Sequence, residues 1–93
     1  MPKRVDANQR EITEGLRRLG VSVYPTHAVG AGFPDLVCGS LGRNYLLEIK
    51  DEGQPPSRQR LTEDEKVFHN NWRGQVAVVK NLKEAQAVIF EGI

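Results

Sequence analysis

The sequence predicts an α/β fold, a single domain with a mixed sheet carrying helices on its faces, in the order helix, three strands, helix, strand, helix. Three observations point there. The chain has 93 residues, room for one hydrophobic core and not two. Hydrophobic residues make up 39% and charged residues 27%, a globular mixture that excludes a core-poor disordered chain. The apolar spacing alternates between helical period and strand period, with glycine, proline or polar clusters at the breaks.

Each element has its own signal. Asp6 followed by Gln9 reads as an N-cap and its capping-box partner, and Ile12, Leu16 and Leu19 recur at helical spacing, so a helix is expected over about residues 7–19, stopped by Gly20. Val21 and Val23 alternate with Ser22 and Tyr24 as a strand ended by Pro25. Residues 26–33 carry Gly30 and Gly32 and read as a loop. Leu36-Val37-Cys38 is a short strand opened by Pro34-Asp35, residues 39–44 read as a hairpin turn, and Tyr45-Leu46-Leu47-Glu48-Ile49-Lys50 is the next strand. Residues 51–60 are polar, contain Gly53 and Pro55-Pro56, and read as a loop. Thr62 with Glu65 is a second capping box, opening a helix to about Asn71 or Trp72, with Gly74 as its stop. Gln75-Val76-Ala77-Val78-Val79-Lys80 is apolar enough to be a strand buried on both faces. Asn81 with Glu84 is a third capping box, before a helix whose stripe is Leu82, Ala85, Val88 and Ile89. A right-handed crossover then lays the last strand parallel to residues 45–50.

Composition also narrows function. No apolar run approaches the roughly 20 residues that span a bilayer, so no membrane partner is expected. Met1-Pro2-Lys3-Arg4-Val5-Asp6 has no apolar stretch behind its charges, so no secretory signal is expected. The one cysteine, Cys38, has no internal partner, which suits a reducing cytoplasm. A net charge of +1 excludes a polybasic coat but not nucleic acid. The carboxylates of a metal site can conceal a basic groove in the sum.

The residues with the strongest chemical signal are Pro34-Asp35 and, thirteen positions beyond Asp35, Glu48-Ile49-Lys50. Side chains alternate across a strand, so Glu48 and Lys50 share a face with Leu46, while Ile49 points the other way. In an antiparallel hairpin the start of one strand lies beside the end of the next, so Asp35 meets the Glu48–Lys50 end. Two carboxylates held together repel unless a cation sits between them, and hard oxygen donors without His or Cys favour Mg²⁺ or Mn²⁺ over zinc. The bland alternative is a solvated strand face. Glu11 lies about 100° round its helix from Ile12, on the flank of the core stripe. It is either a third carboxylate leaning over the sheet or a solvent-facing glutamate.

Other features carry less. Gly30-x-Gly32 precedes Pro34 and a strand, not a helix, so it is no dinucleotide loop. His69-Asn70-Asn71 is contiguous on a helix and cannot face one site. His27 reads as a solvated loop residue, Cys38 as a small buried apolar one, and Phe68 and Trp72 as core. Ser57-Arg58-Gln59-Arg60 is a basic loop beside the Glu-x-Lys strand, open either to solvent or to phosphate.

The runs Asp6-x-Asn8-Gln9-x-Glu11-Ile12, Gly32-Phe33-Pro34-Asp35-Leu36-Val37, Leu47-Glu48-Ile49-Lys50-Asp51, Leu61-Thr62 through Phe68-His69, and Trp72-Arg73-Gly74-x-Val76-Ala77-Val78-Val79 together resemble a standalone VRR-NUC domain. This is the virus-type replication–repair branch of the PD-(D/E)xK nucleases. The resemblance spans Asp6 to about Ala85. It implies an α-β-β-β-α-β nuclease core plus a C-terminal helix, Mg²⁺ or Mn²⁺ as cofactor, and hydrolysis of DNA phosphodiesters to 5′-phosphate and 3′-hydroxyl ends. It places Glu11, Asp35, Glu48 and Lys50 at the catalytic positions, and implies four-way junctions as leading substrate and action as a homodimer. The setting it suggests is the cytoplasm of a bacterial or phage-infected cell. Where the family often has Gln, this chain has Glu65.

Leu61, Glu65, Phe68 and Trp72 fall on one helix face, so Glu65 lies on the stripe facing the sheet. It serves either as the capping-box residue alone or as an outer partner of the metal site. The expectation is therefore a metal-dependent DNA endonuclease. Asp35, Glu48 and the Ile49 carbonyl hold the ion, Glu11 completes the outer set, Lys50 orients water or steadies developing charge, and Arg58 and Arg60 reach DNA. The rivals are a non-catalytic DNA-binding or assembly module of the same fold, and a nuclease of flaps or of plasmid or phage duplex. A dimer interface could use residues 51–60 or the last helix.

Overall fold

The computed structural model describes residues 3–92, with side chains from residue 7 onward. Helix α1 spans Lys3–Arg18. Strands β1 (Ser22–Pro25), β2 (Leu36–Ser40) and β3 (Arg43–Ile49) follow. Then come the short helix α2 (Pro56–Gln59), helix α3 (Glu63–Asn71), strand β4 (Val76–Val79) and helix α4 (Leu82–Glu91). The four strands form one sheet in the order β1-β2-β3-β4. β1–β2 and β2–β3 are antiparallel and β3–β4 is parallel, the mixed sheet that a strand–helix–strand crossover demands.

Helix α1 begins a turn earlier than its capping signal suggests, so Asp6 lies within the helix and not at its N-cap. Nothing in Lys3-Arg4-Val5 stops a helix, and propensity outlasted the cap residue. Its other end behaves as the sequence indicates. Gly20, at φ +89°, lets its own N–H reach the Arg17 carbonyl and that of Val21 reach the Leu16 carbonyl, a Schellman closure with Val21 packed back on the core. Leu19 falls in that turn and is exposed, leaving Ile12 and Leu16 as the buried stripe.

The core lies on one face of the sheet. Ile12 and Leu16 of α1, Ala85 and Ile89 of α4, and the inward residues Val23, Leu36, Cys38, Leu47 and Ile49 pack together there. Gly15 permits α4 this close, since a Cβ on it would lie 2.5 Å from a methyl carbon of Leu82. Leu46, Glu48 and Lys50 therefore project from the opposite face, where Glu65 of α3 meets Lys50. The hairpin between β2 and β3 is tighter than residues 39–44, because Ser40 and Arg43 still pair. Only Leu41 and Gly42 form the turn, both at positive φ, as a two-residue primed turn requires.

Three expectations need correction. Residues 51–60 are not wholly loop, since Pro56 sets the helical φ of a first turn and α2 forms there. β4 is not buried on both faces. It is an edge strand with Val78 37% exposed, because an apolar run reads alike at the centre and at the rim of a sheet. Trp72 is not core. It is 41% exposed, stacked on Phe68 at 5.1 Å while Phe33 meets Phe68 edge-on at 5.1 Å.

Phe33 is held under α3 by Gly32, whose φ is +81°. A Cβ there would stand 2.5 Å from the Asp64 carbonyl oxygen. Gly32→Ala therefore combines a left-handed backbone with a backbone clash. It should cost about 1–3 kcal/mol, read as a lower denaturant midpoint with unchanged slope in urea unfolding.

Candidate active site

The register of the hairpin builds the site. The last β2–β3 pair is Leu36↔Leu47, so Asp35 and Ile49 sit just past the paired region, at the same end of the sheet. The N–H of Ile49 has no strand partner on that side and donates to Asp35 Oδ2 at 2.8 Å. In a strand the N–H and C=O of one residue point the same way, so the Ile49 carbonyl also faces the Asp35 side. Glu48 projects from the α3 face and is buried, at 3% exposure. Lys50 Nζ lies 3.6 Å from Glu48 Oε2 and 2.9 Å from Glu65 Oε1.

Glu65 does more than close the capping box, since it also pairs with Lys50. Its Oε1 accepts from the Thr62 N–H at 2.9 Å, closing the capping box of α3, and the same oxygen accepts from Lys50. One carboxylate thus fixes the start of α3 and the ammonium of the strand below it. The benefit of a capping box is ordinarily local, but here the cap sets where Lys50 points.

The electrostatics are strained in one direction. Burial, then the Asp35 and Glu65 carboxylates, push the Glu48 carboxyl up to about 9, with Lys50 opposing. Burial also raises Asp35, opposed by the Ile49 N–H and a hydrogen bond with Glu48. Glu65 is raised by burial, but the Thr62 N–H and Lys50 outweigh this and hold it below the usual carboxylate range. Glu48 Oε1 is buried without a hydrogen-bond partner, an arrangement that costs free energy unless something fills it. Burial pushes the Cys38 thiol up to about 11, so it stays a protonated core residue.

These groups open on a cavity of about 220 Å³ lined by Asp35, Glu48, Ile49 and Lys50, with Asp51, Gln54 and Arg58 at its rim. The structure thus brings together Asp35, Glu48, Ile49, Lys50, Glu65 and Arg58. It does not bring Glu11 to the cavity. That residue is exposed on α1, and the cavity wall is made without it. Arg60 is exposed and likewise stands outside the wall. His69 bonds through Nδ1 to the Glu65 carbonyl of its own helix, at 2.8 Å.

Sequence reasoning missed three contributors. Asp51 and Gln54 reach the rim because Asp51 turns the chain, its carboxylate accepting from Gly53 and its carbonyl from the Gln54 N–H. Asn8 donates to the carbonyls of Lys50 and Lys80, at 3.4 and 3.3 Å, tying α1 to the ends of β3 and β4. Asp51 and Asn8 both stand within the runs that carry the family resemblance, which was the available signal.

Among the described residues, no three His, Cys, Asp or Glu side chains are grouped to hold a metal ion. The donor set for a cation is two carboxylates and a carbonyl. That suits Mg²⁺, which keeps several waters and is bound through one or two carboxylates plus substrate phosphate. The orphaned Glu48 oxygen and the raised Asp35 and Glu48 carboxyls are what such a cation would relieve, so the residues fit the group. Among the described residues no helix is long and apolar enough to cross a membrane. Comparison with protein-family models, with curated proteins and with solved structures found no match to this chain.

Proposed function

We propose that the chain is a Mg²⁺- or Mn²⁺-dependent DNA endonuclease that acts on branched DNA, four-way junctions foremost. The single observation that carries this reading is the buried Glu48 carboxyl, one oxygen unpartnered, on a cavity wall that it shares with Asp35 and Lys50. A purely structural strand face has no reason to retain a carboxyl that burial and like charge oppose. The VRR-NUC resemblance of the same residues supports the choice of substrate.

Asp35, Glu48 and the Ile49 carbonyl would hold the divalent cation, which when bound polarises a phosphoryl oxygen and lowers the pKa of water. The chain's own residues do the rest. The Ile49 N–H fixes one Asp35 oxygen and leaves the other for ligation. Glu65 holds the Lys50 ammonium at the cavity wall, where it orients the attacking water or meets charge developing on the phosphorane. Arg58 at the rim meets the backbone of the strand.

Incubation with supercoiled plasmid and a labelled junction, with and without Mn²⁺, is the test. Metal-dependent cutting supports the proposal, and binding without cutting supports the non-catalytic module instead. Lys50→Ala should lower cleavage on the order of 10²–10³-fold, the scale of removing one transition-state donor. Metal affinity by calorimetry should stay near that of the parent, because an ammonium does not ligate a cation. A collapse of metal affinity would make Lys50 structural.

One chain carries one site, and resolving a junction takes two symmetric cuts. The active form is therefore a homodimer with closed two-fold symmetry. Light scattering at micromolar concentration should report two chains. A monomer that still makes paired cuts would end the dimer argument, and a monomer that nicks one strand would favour flap or plasmid substrates.

A further inference from the structure

A second groove, about 420 Å³ and polar, runs between α1 and the end of β1. Gln9, Arg10, Thr13, Glu14 and Arg17 supply its α1 wall and His27 stands opposite. These α1 residues recur every three to four positions, so they line one side of the helix over two turns. The floor is fixed. Thr13 is buried and Gln9 half-buried, and the Arg17 guanidinium donates to the Val23 carbonyl at 2.6 Å. Arg10 and His27 are exposed. Among the described residues, none of Arg10, Arg17 and His27 is ion-paired. Among the described residues Glu14 is the one carboxylate of the wall, and Arg10 and Arg17 outnumber it.

The segment after β1 ties this groove to the backbone that carries Asp35. Thr26 donates its N–H to the Asp35 carbonyl at 2.8 Å and its hydroxyl to the Pro34 carbonyl at 2.7 Å. His27 is the next residue, at the same end of the sheet as Asp35. Arg58 lines the site from the segment after β3, on the side away from β1.

We propose that the α1–β1 groove seats the phosphodiester backbone of the DNA strand that flanks the scissile bond. Arg10 and His27 contact its phosphates, and Gln9 and Thr13 give hydrogen bonds to the same oxygens. This rests on the nuclease reading and deepens it. The groove is open and elongated along α1, so it suits a polymer of phosphates and not a single enclosed anion. A strand carries one charge per about 3.4 Å of axis, and Arg10 and Arg17 are about 10 Å apart along the helix. Contacts of this kind position a strand without reading bases, as a nuclease that recognises DNA shape requires.

Fluorescence anisotropy with a labelled four-way junction in EDTA, over a series of salt concentrations, tests the groove without cutting. Arg10→Ala and the double variant Arg10→Ala/His27→Ala should bind more weakly, whatever the sequence. The slope of log K against log salt should fall by about one for each phosphate that the variant no longer neutralises. Arg10→Lys should recover most of the slope, and Arg18→Ala, outside the groove, should leave it unchanged. In Mn²⁺ the double variant should show a raised KM and a kcat near that of the parent. A parent that binds and cuts DNA, with a double variant equal to it in slope and KM, would overturn the groove alone. A parent that neither binds nor cuts DNA would overturn the nuclease reading and the groove with it.

Discussion

Asp35→Asn is expected to abolish metal-dependent cleavage and leave the chain folded. The amide keeps the size and planarity of the carboxylate. Its oxygen can still accept from the Ile49 N–H, the 2.8 Å bond that holds the β3 end beside the start of β2. What it loses is the anionic ligand. Outer partners of a metal site already command about 10–100-fold in affinity or activity, and a direct ligand commands more, so cleavage should fall by at least about 100-fold. Calorimetry should show Mn²⁺ affinity falling in parallel. The same substitution removes one of the charges that raise Glu48, so the metal-free variant should melt no lower than the parent at pH 8. Full Mn²⁺-dependent activity in a clean Asp35→Asn preparation would remove Asp35 from the ligand set.

Glu48→Gln should be inactive and yet more stable than the parent in alkaline, metal-free buffer. The folded chain holds the Glu48 proton up to about 9, against 4.5 for the ordinary carboxyl. Between those values the folded state binds more protons than the unfolded one, so stability falls as pH rises through that window. Burial of the group neutral below the window carries no such penalty. Glutamine is neutral throughout, so the decline between about pH 5 and 9 should flatten. At pH 8 to 9 the variant should gain about 1–3 kcal/mol, the scale of a buried polar group left uncompensated. Mg²⁺ should raise the melting temperature of the parent most at alkaline pH, because ligation requires the deprotonated carboxyl and binding releases its proton. It should leave Glu48→Gln nearly unmoved. A parent whose metal-free stability is flat from pH 5 to 9 would contradict the burial of a protonated Glu48. The Glu65 carboxyl, held low by Thr62 and Lys50, acts in the opposite sense, and its contribution is lost in acid.

Local signals in the chain were enough for most of the fold. Ile12 and Leu16, the Gly20 stop, the alternation at Val21 and Val23 and the Thr62–Glu65 box each encode their element within a few residues. The parallel placement of β4 followed from the handedness of a crossover. Local signals were weaker at element ends. Asp6 is a good cap that α1 ignores, and Asn81 accepts from the Glu84 N–H while Glu84 reaches the Lys80 N–H, one residue before the expected cap.

By itself the sequence determined that Asp35 meets the end of the Glu48–Lys50 strand, because alternation and hairpin geometry are short-range rules. It determined the α/β class for the same reason. Only the tertiary structure decided what surrounds those residues. That Glu65 turns its capping oxygen onto Lys50, that Glu48 is buried with one oxygen unmatched, that Glu11 stays outside the cavity while Asp51 and Arg58 reach it, and that β4 lies at an edge all depend on how α3, α1 and the sheet dock. Docking sums many weak contacts between residues far apart in the chain, and no local pattern of charge or hydrophobicity contains that sum.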